Sequence, residues 1–307
     1  SASGMSAANA VMVGGQAAAI QGQLNFSRDM EREADRVGYG VMTEAGYEPQ
    51  GFVTMFEKLQ QASRLNDNGS FPYLRSHPMT TERIADAQAR QQLLPNKTAK
   101  GMTATHAMMS ARAQVLTNPG VDGLRALIEQ AGATTLSAAP KPRQAGVLYG
   151  AAMAEMKLRN FAAARQQLQR LQSLSGLDLP ALRVVRLLAA ELALAAGDPA
   201  QTVALLEPKA IIMASHDRAS RILLGQGRVA TQKPAQAQTA ASDLVVWLNQ
   251  HPRDASAWLL LASAYEVQGD VLRAIRAQAE ARAVELDYSA AVDRFKAAQL
   301  LAHQMAA

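Results

Sequence analysis

Glu31 and Asp35 stand four residues apart, and the chemistry of the chain starts from that spacing. Read as a helix, the stretch puts the two carboxylates on one face, one turn apart, while Glu33 points elsewhere. A glutamate can bind a zinc ion through its carboxylate. An aspartate one turn on can accept the far N–H of a ligating histidine and hold that ring in place. An amphipathic helix with a solvated acidic edge uses the same residues, and Glu-x-x-Ala-Asp alone favours this plainer reading. Two downstream residues bear on the choice. His77 precedes Pro78, which biases it away from helical backbone and fixes the direction of the imidazole; a lone loop histidine is otherwise a surface or structural residue. Arg83 follows Thr80, a helix cap, so its cation falls near the positive end of the helix dipole. That unfavourable position calls for a partner: Asp35, Glu31 or a substrate carbonyl. An ordinary salt bridge is the simpler role and transition-state stabilisation the sharper one.

The elements that must position these groups are helical. Phe26, Met30, Ala34, Val37 and Val41 form an i, i+4, i+7 stripe expected to face a core, with Ser27 as N-cap and Asp29 and Glu31 in the first turn. Gly46 stops this helix and Pro49 opens the next, whose Phe52, Phe56, Leu59 and Leu65 are expected core residues. A loop over 70–80 leads to a third helix that begins near Thr81 and runs to about Leu94.

Four segments together, Glu31 to Gly38, Ala45 to Pro49, His77-Pro78 and Arg83-Ile84, resemble the second half of a zinc metallopeptidase of the HtpX/BepA type. The likeness is strongest to the bacterial periplasmic BepA branch, which carries C-terminal TPR repeats. It covers roughly Phe26 to Arg90, with order and spacing kept. In that family an upstream H-E-x-x-H helix gives two histidine ligands and the general base. The resemblance implies that Glu31 is the third zinc ligand and that Asp35 and Arg83 support it. It also implies that His77 reaches the zinc, displaces the catalytic water and holds the protease off.

The departure from the family is plain. The histidines are His77, His106, His216, His251 and His303, and no two are four apart, so the base and two ligands of a zinc-hydroxide mechanism are missing. The chain therefore reads as the C-terminal part of a larger enzyme, expected to be inactive on peptides by itself and to hold zinc weakly or not at all. The resemblance further implies a periplasmic setting and protein partners from the outer-membrane assembly machinery or its clients. The rival is a non-catalytic adaptor or chaperone that keeps a peptidase remnant as scaffold.

Composition bounds these readings. At 307 residues the chain suits two domains, and 5% aromatic content with few β-branched runs argues for an all-α protein. The net charge is +5, with 31 basic and 26 acidic residues interspersed and no basic block, which excludes a nucleic-acid binder. There is no cysteine, so compartment cannot be read from disulfides. Residues 5–24 are as long as a membrane span but are broken by Asn9, Gln16, Gln21 and Gln23; a close-packed helix is expected, with peripheral membrane contact as the second reading.

Past the third helix, residues 98–116 predict another, with Met102, Met108, Met109 and Leu116 apolar. Residues 117–144 hold Asn118-Pro119-Gly120, Gly132, Pro140 and Pro142 around one short helix (124–130), and are expected to link residues 1–116, the peptidase half, to residues 145–307. In that last region Arg159-Asn160-Phe161, Gly197-Asp198-Pro199, Gln232-Lys233-Pro234 and Gly269-Asp270-Val271 recur every 35–38 residues between apolar helical segments. That is the period of tetratricopeptide helix pairs, so a TPR-type α-solenoid is expected, capped by a helix over 287–305. Its concave face is a protein-docking surface. A peptidase half without its neighbours would expose an apolar face, which predicts dimerisation.

Overall fold

Residues 28–44 form the first helix, α1, of a computed structural model that describes residues 28–65, 81–93, 101–117, 120–207 and 217–306. The fold is all-α, with no strand among the described residues. It divides into two compact units, residues 1–101 and 102–307. None of the described helices is long and apolar enough to cross a membrane. Residues 5–24, Phe26 and His77 lie outside the described residues.

The first unit packs α1 with α2 (Pro49–Leu65) and α3 (Thr81–Leu93). Its core is small: Val53 and Phe56 of α2 meet Ile84 and Ala87 of α3, with Phe52 packed alongside. Tyr39 of α1 is buried and meets the Phe52 ring edge-on at 5.4 Å between centroids. The expected apolar stripe of α1 does not face this core. Met30 is 59% exposed, Val37 48% and Val41 63%, and Ala34 is exposed as well. The covered face is rotated by one residue, through Glu31, Asp35, Gly38 and Tyr39, because α3 presents an arginine to two carboxylates there rather than an apolar surface.

The second unit is a run of helical hairpins. α4 (Ala104–Leu116), α5 (Gly120–Gly132) and a 3-10 turn (Thr134–Ala138) precede α6 (Lys141–Lys157) and α7 (Phe161–Gln172). Then come α8 (Leu179–Ala195), α9 (Pro199–Leu206), α10 (Arg218–Ala230), α11 (Pro234–Gln250), α12 (Ala255–Val267) and α13 (Val271–Val284). The last is α14 (Tyr288–Ala306).

The recurring tripeptides are the turns inside the hairpins, and their backbone explains the repetition. Arg159, Gly197, Gln232 and Gly269 all have positive φ, between 56° and 84°. In three of the four turns the next N–H bonds back six residues, Asn160 to Glu155, Asp198 to Ala193 and Asp270 to Tyr265, each at 2.9 Å. This is the Schellman closure, which satisfies carbonyls left bare at a helix end. Leu286 (φ 65°) closes α13 in the same way, with Asp287 N–H bonded to the Arg282 carbonyl at 3.0 Å.

Residues 117–144 are not a spacer. α5 covers more than the short helix expected there, and Leu124, Ala131 and Leu136 are buried in the same core as Leu148, Leu168 and Leu188. The glycines and prolines that suggested a linker only punctuate short elements: Gly120 and Gly132 end α5 and Pro140 caps α6. Upstream, α4 starts at Ala104, because the Thr103 hydroxyl accepts from the His106 N–H and caps it. Of its apolar residues only Met108 is fully buried; Met102 (53%), Met109 (38%) and Leu116 (54%) are exposed, and Ala107, Ala111 and Val115 face inward instead.

Aspartates cap the first helices of successive hairpins and also join them. Asp217 accepts from the Ser220 N–H and pairs with Arg183; Asp254 accepts from the Ala257 N–H and takes a bidentate bond from Arg218 at 2.7 and 2.8 Å. Asp254 also accepts from the Trp247 indole, and these bonds, led by Arg218, hold its carboxyl at about 2, against an ordinary 3.8. A depressed carboxyl pKa adds stability at neutral pH that is fully present above the ordinary value and lost as pH falls from about 3.8 towards about 2. Asp254→Asn keeps an oxygen for the cap but loses the ionic pair. It is expected to cost roughly 1 kcal/mol at pH 7 in urea unfolding. The gap to the parent should close by pH 2; a gap unchanged with pH would contradict the pairing.

Candidate functional site

Arg83 sits at the third position of α3 and is 7% exposed. Its Nε and Nη2 donate to the two Asp35 carboxylate oxygens at 2.6 and 2.7 Å, and its Nη1 lies 3.0 Å from Glu31 Oε2. The fork grips Asp35 with two parallel bonds, the geometry that only a guanidinium offers a carboxylate. The same guanidinium carbon lies 5.2 Å from the centre of the Phe56 ring, so the cation is sandwiched between a ring face and two acids. The two anions also explain how a cation is tolerated in the first turn of α3.

Glu31 and Asp35 project towards α3 rather than into solvent, with side chains 13% and 17% exposed. The three residues carry a formal charge of −1, so a cation is the ligand this cluster would favour. Zinc takes four ligands, usually nitrogen and sulfur with carboxylate oxygen. Among the described residues no three His, Cys, Asp or Glu side chains converge to hold a metal ion. The described cluster thus supplies one carboxylate donor, buttressed by Arg83 and Asp35, and would need further donors from elsewhere. Glu33, two residues from each of these acids, instead pairs with Arg36 on the exposed side, which lowers its pKa. Arg32 bonds to Glu82 at 3.0 Å and adds a surface tie between α1 and α3.

The sequence gave no sign of Tyr39 as a neighbour of this cluster. It lies one turn beyond Asp35 on the covered face of α1, and burial pushes its phenol pKa up. Its one readable signal is its spacing of four from Asp35 and eight from Glu31, which was masked by the more apolar stripe beside it.

A second polar cluster spans three helices of the second unit. Arg112 of α4 reaches past Tyr149 of α6 to Glu191 of α8, with bonds of 2.8 and 2.9 Å to the carboxylate and 3.1 Å to the phenol oxygen. The Glu191 carboxylate holds the guanidinium pKa well above its usual value, and burial raises that of Tyr149. Residues 79 apart in sequence cannot be paired by reading spacing. Arg112→Ala is expected to cost about 1.5 kcal/mol in urea unfolding, with Glu191→Ala adding little on top of it. Strictly additive losses would show that the two act independently.

Residues 1–91 match the sequence model of peptidase family M48. Within that class the chain is a relative of the beta-barrel assembly-enhancing proteases. It is 26% identical to the one from Yersinia pestis over 282 residues, 92% of this chain and 54% of the relative. It is 36% identical to the Escherichia coli (strain K12) protein over 81 residues, 26% of this chain and 16% of that one. With a putative beta-barrel assembly-enhancing protease of Vibrio cholerae the identity is 35% over 92 residues, 30% of this chain and 18% of the relative. The chain thus spans about half the length of the Yersinia relative and under a fifth of the other two.

Proposed function

We propose that this chain is part of a periplasmic zinc-dependent metalloendopeptidase and chaperone that acts in outer-membrane protein quality control. In this reading Glu31 is a zinc ligand, and Asp35 and Arg83 hold it in position. His77 is the regulatory histidine, and the second unit is a TPR array that docks clients or the assembly machinery. Bound zinc would supply a Lewis acid and a water acidified to near-neutral pKa. The chain's own residues would bind and orient: Arg83 fixes the rotamer of Glu31, and Asp35 is available to a histidine N–H only on the side that Arg83 does not cover.

The observation that carries this reading is the inward-turned Glu31, tied through Arg83 to Asp35, inside a segment that matches a metallopeptidase family. The similarity to beta-barrel assembly-enhancing proteases supports the setting. Hairpin turns at 35–38-residue spacing support the TPR assignment. The adaptor reading retains its own support, since the histidines of this chain do not form H-E-x-x-H.

The test is expression of the complete reading frame from which this chain comes. An upstream H-E-x-x-H, zinc-dependent casein cleavage and its loss in Glu31→Gln are expected, with His77→Ala raising cleavage. A reading frame without that motif, or full cleavage by Glu31→Gln, would leave only the adaptor.

A further inference from the structure

We infer that the groove between the 3-10 turn and α7 binds an extended, uncharged polypeptide segment through that segment's main chain. This rests on the reading of the second unit as a protein-docking module and names what it docks. The groove has a volume of about 660 Å³. Its floor is apolar: Leu136 from the turn and Leu148 from α6 are buried, and Leu174 after α7 is half-buried.

The walls are neutral hydrogen-bonding groups. Gln166, Gln169 and Ser173 follow one another at i, i+3 and i+7 and line one edge. The carboxamides of Gln166 and Gln169 are exposed and make no hydrogen bond among the described residues, so each offers one acceptor and an NH2 donor. The Ser173 hydroxyl donates to the Gln169 carbonyl at 2.9 Å, which leaves its oxygen as an acceptor. Gln144 is buried at the opposite edge. Its amide nitrogen is used on the Ser137 and Ala139 carbonyls, at 3.2 and 2.7 Å, so its amide oxygen is what it offers the groove.

Charge is absent where a ligand would lie. Arg170 is the one lining residue with a charge, and its guanidinium is engaged by the Ala131 carbonyl and by Gln167. A charged peptide would find no counter-ion here, whereas a peptide group, which is itself an amide, matches a carboxamide in donor and acceptor. Consecutive groups on one edge of an extended chain recur about every 6.8 Å, and side chains three and four apart on a helix lie about 5–6 Å apart, a mismatch that flexible glutamines absorb. The alternation of an extended chain would turn every second side chain onto the leucine floor. Segments that alternate apolar and uncharged polar residues are what the strands of a transmembrane β-barrel consist of. The ligand class is therefore an unfolded β-strand segment of that kind.

The experiment uses the full 307-residue chain and a labelled ten-residue peptide that alternates leucine with threonine, read by fluorescence anisotropy. The same peptide with alternate backbone nitrogens methylated is the control, since it keeps every side chain and loses the donors. Saturable binding is expected, weakened about tenfold by methylation and about tenfold by the surface double substitution Gln166→Ala/Gln169→Ala. No saturable binding, or equal binding of the methylated peptide or by the double variant, would overturn the inference. Capture of an unfolded β-barrel protein by a chain that ignores the peptide would sink the groove and leave docking intact. Failure of both would sink the docking reading too.

Discussion

Arg83→Leu is expected to unfold the first unit while the second stays folded. The substitution removes the only partner printed in the geometry that neutralises Glu31 and Asp35 together, both mostly withdrawn from water. Deleting one side of a buried ion pair typically costs about 3–5 kcal/mol, because the remaining charges keep their desolvation penalty. The core left to resist that loss is four buried side chains, Val53, Phe56, Ile84 and Ala87, and Phe56 also loses the cation over its ring. Hydrogen exchange is the measurement: amides of residues 28–44 and 81–93 should lose protection, while those of α6 to α13 keep it. Arg83→Lys should fall between, since an ammonium restores charge without the two-pronged grip on Asp35. Full protection in Arg83→Leu would mean that the cluster is ornamental to the fold.

Gly146→Ala should destabilise the second unit by about 2 kcal/mol, although alanine is the better helix former by about 1 kcal/mol. A Cβ at Gly146 would lie 2.9 Å from the Ala107 carbonyl oxygen and 3.0 Å from the Ala107 Cβ, so α4 and α6 would have to separate. Backbone cannot rotate out of the way. Gly225→Ala is the control, because there the nearest atom, also at 2.9 Å, is the end of the Leu260 side chain, which can move. Urea unfolding should show the Gly146 variant as clearly the weaker of the two; the reverse order would contradict the close crossing of α4 and α6.

What was legible in the sequence was whatever local chemistry dictates. The hairpin turns could be read because a positive φ after each helix selects glycine or a tolerant residue at a fixed place, as at Gly197 and Gly269. The demand of Arg83 for an acid could be read from the helix dipole, and the structure pairs it with both Asp35 and Glu31. What could not be read was which face of α1 is covered. Met30, Val37 and Val41 are the more apolar choice, yet α3 brings a cation, and the carboxylates turn to it. Periodicity identifies a helix with an apolar stripe but says nothing about a polar neighbour supplied fifty residues away. Residues 117–144 misled for a related reason. Proline and glycine mark ends of elements, and a dense cluster of ends looks like a spacer until Leu124 and Leu136 are seen in the core. The Arg112, Tyr149 and Glu191 cluster left no local mark at all.

Zinc content of the protein made from the complete reading frame, parent against Glu31→Gln, tests the metallopeptidase account most directly. One zinc per chain is expected in the parent. The variant should lose it while its circular dichroism stays helical, since Arg83 keeps its two bonds to Asp35. A folded Glu31→Gln protein that retains a full zinc ion would contradict the assignment of Glu31 as a ligand.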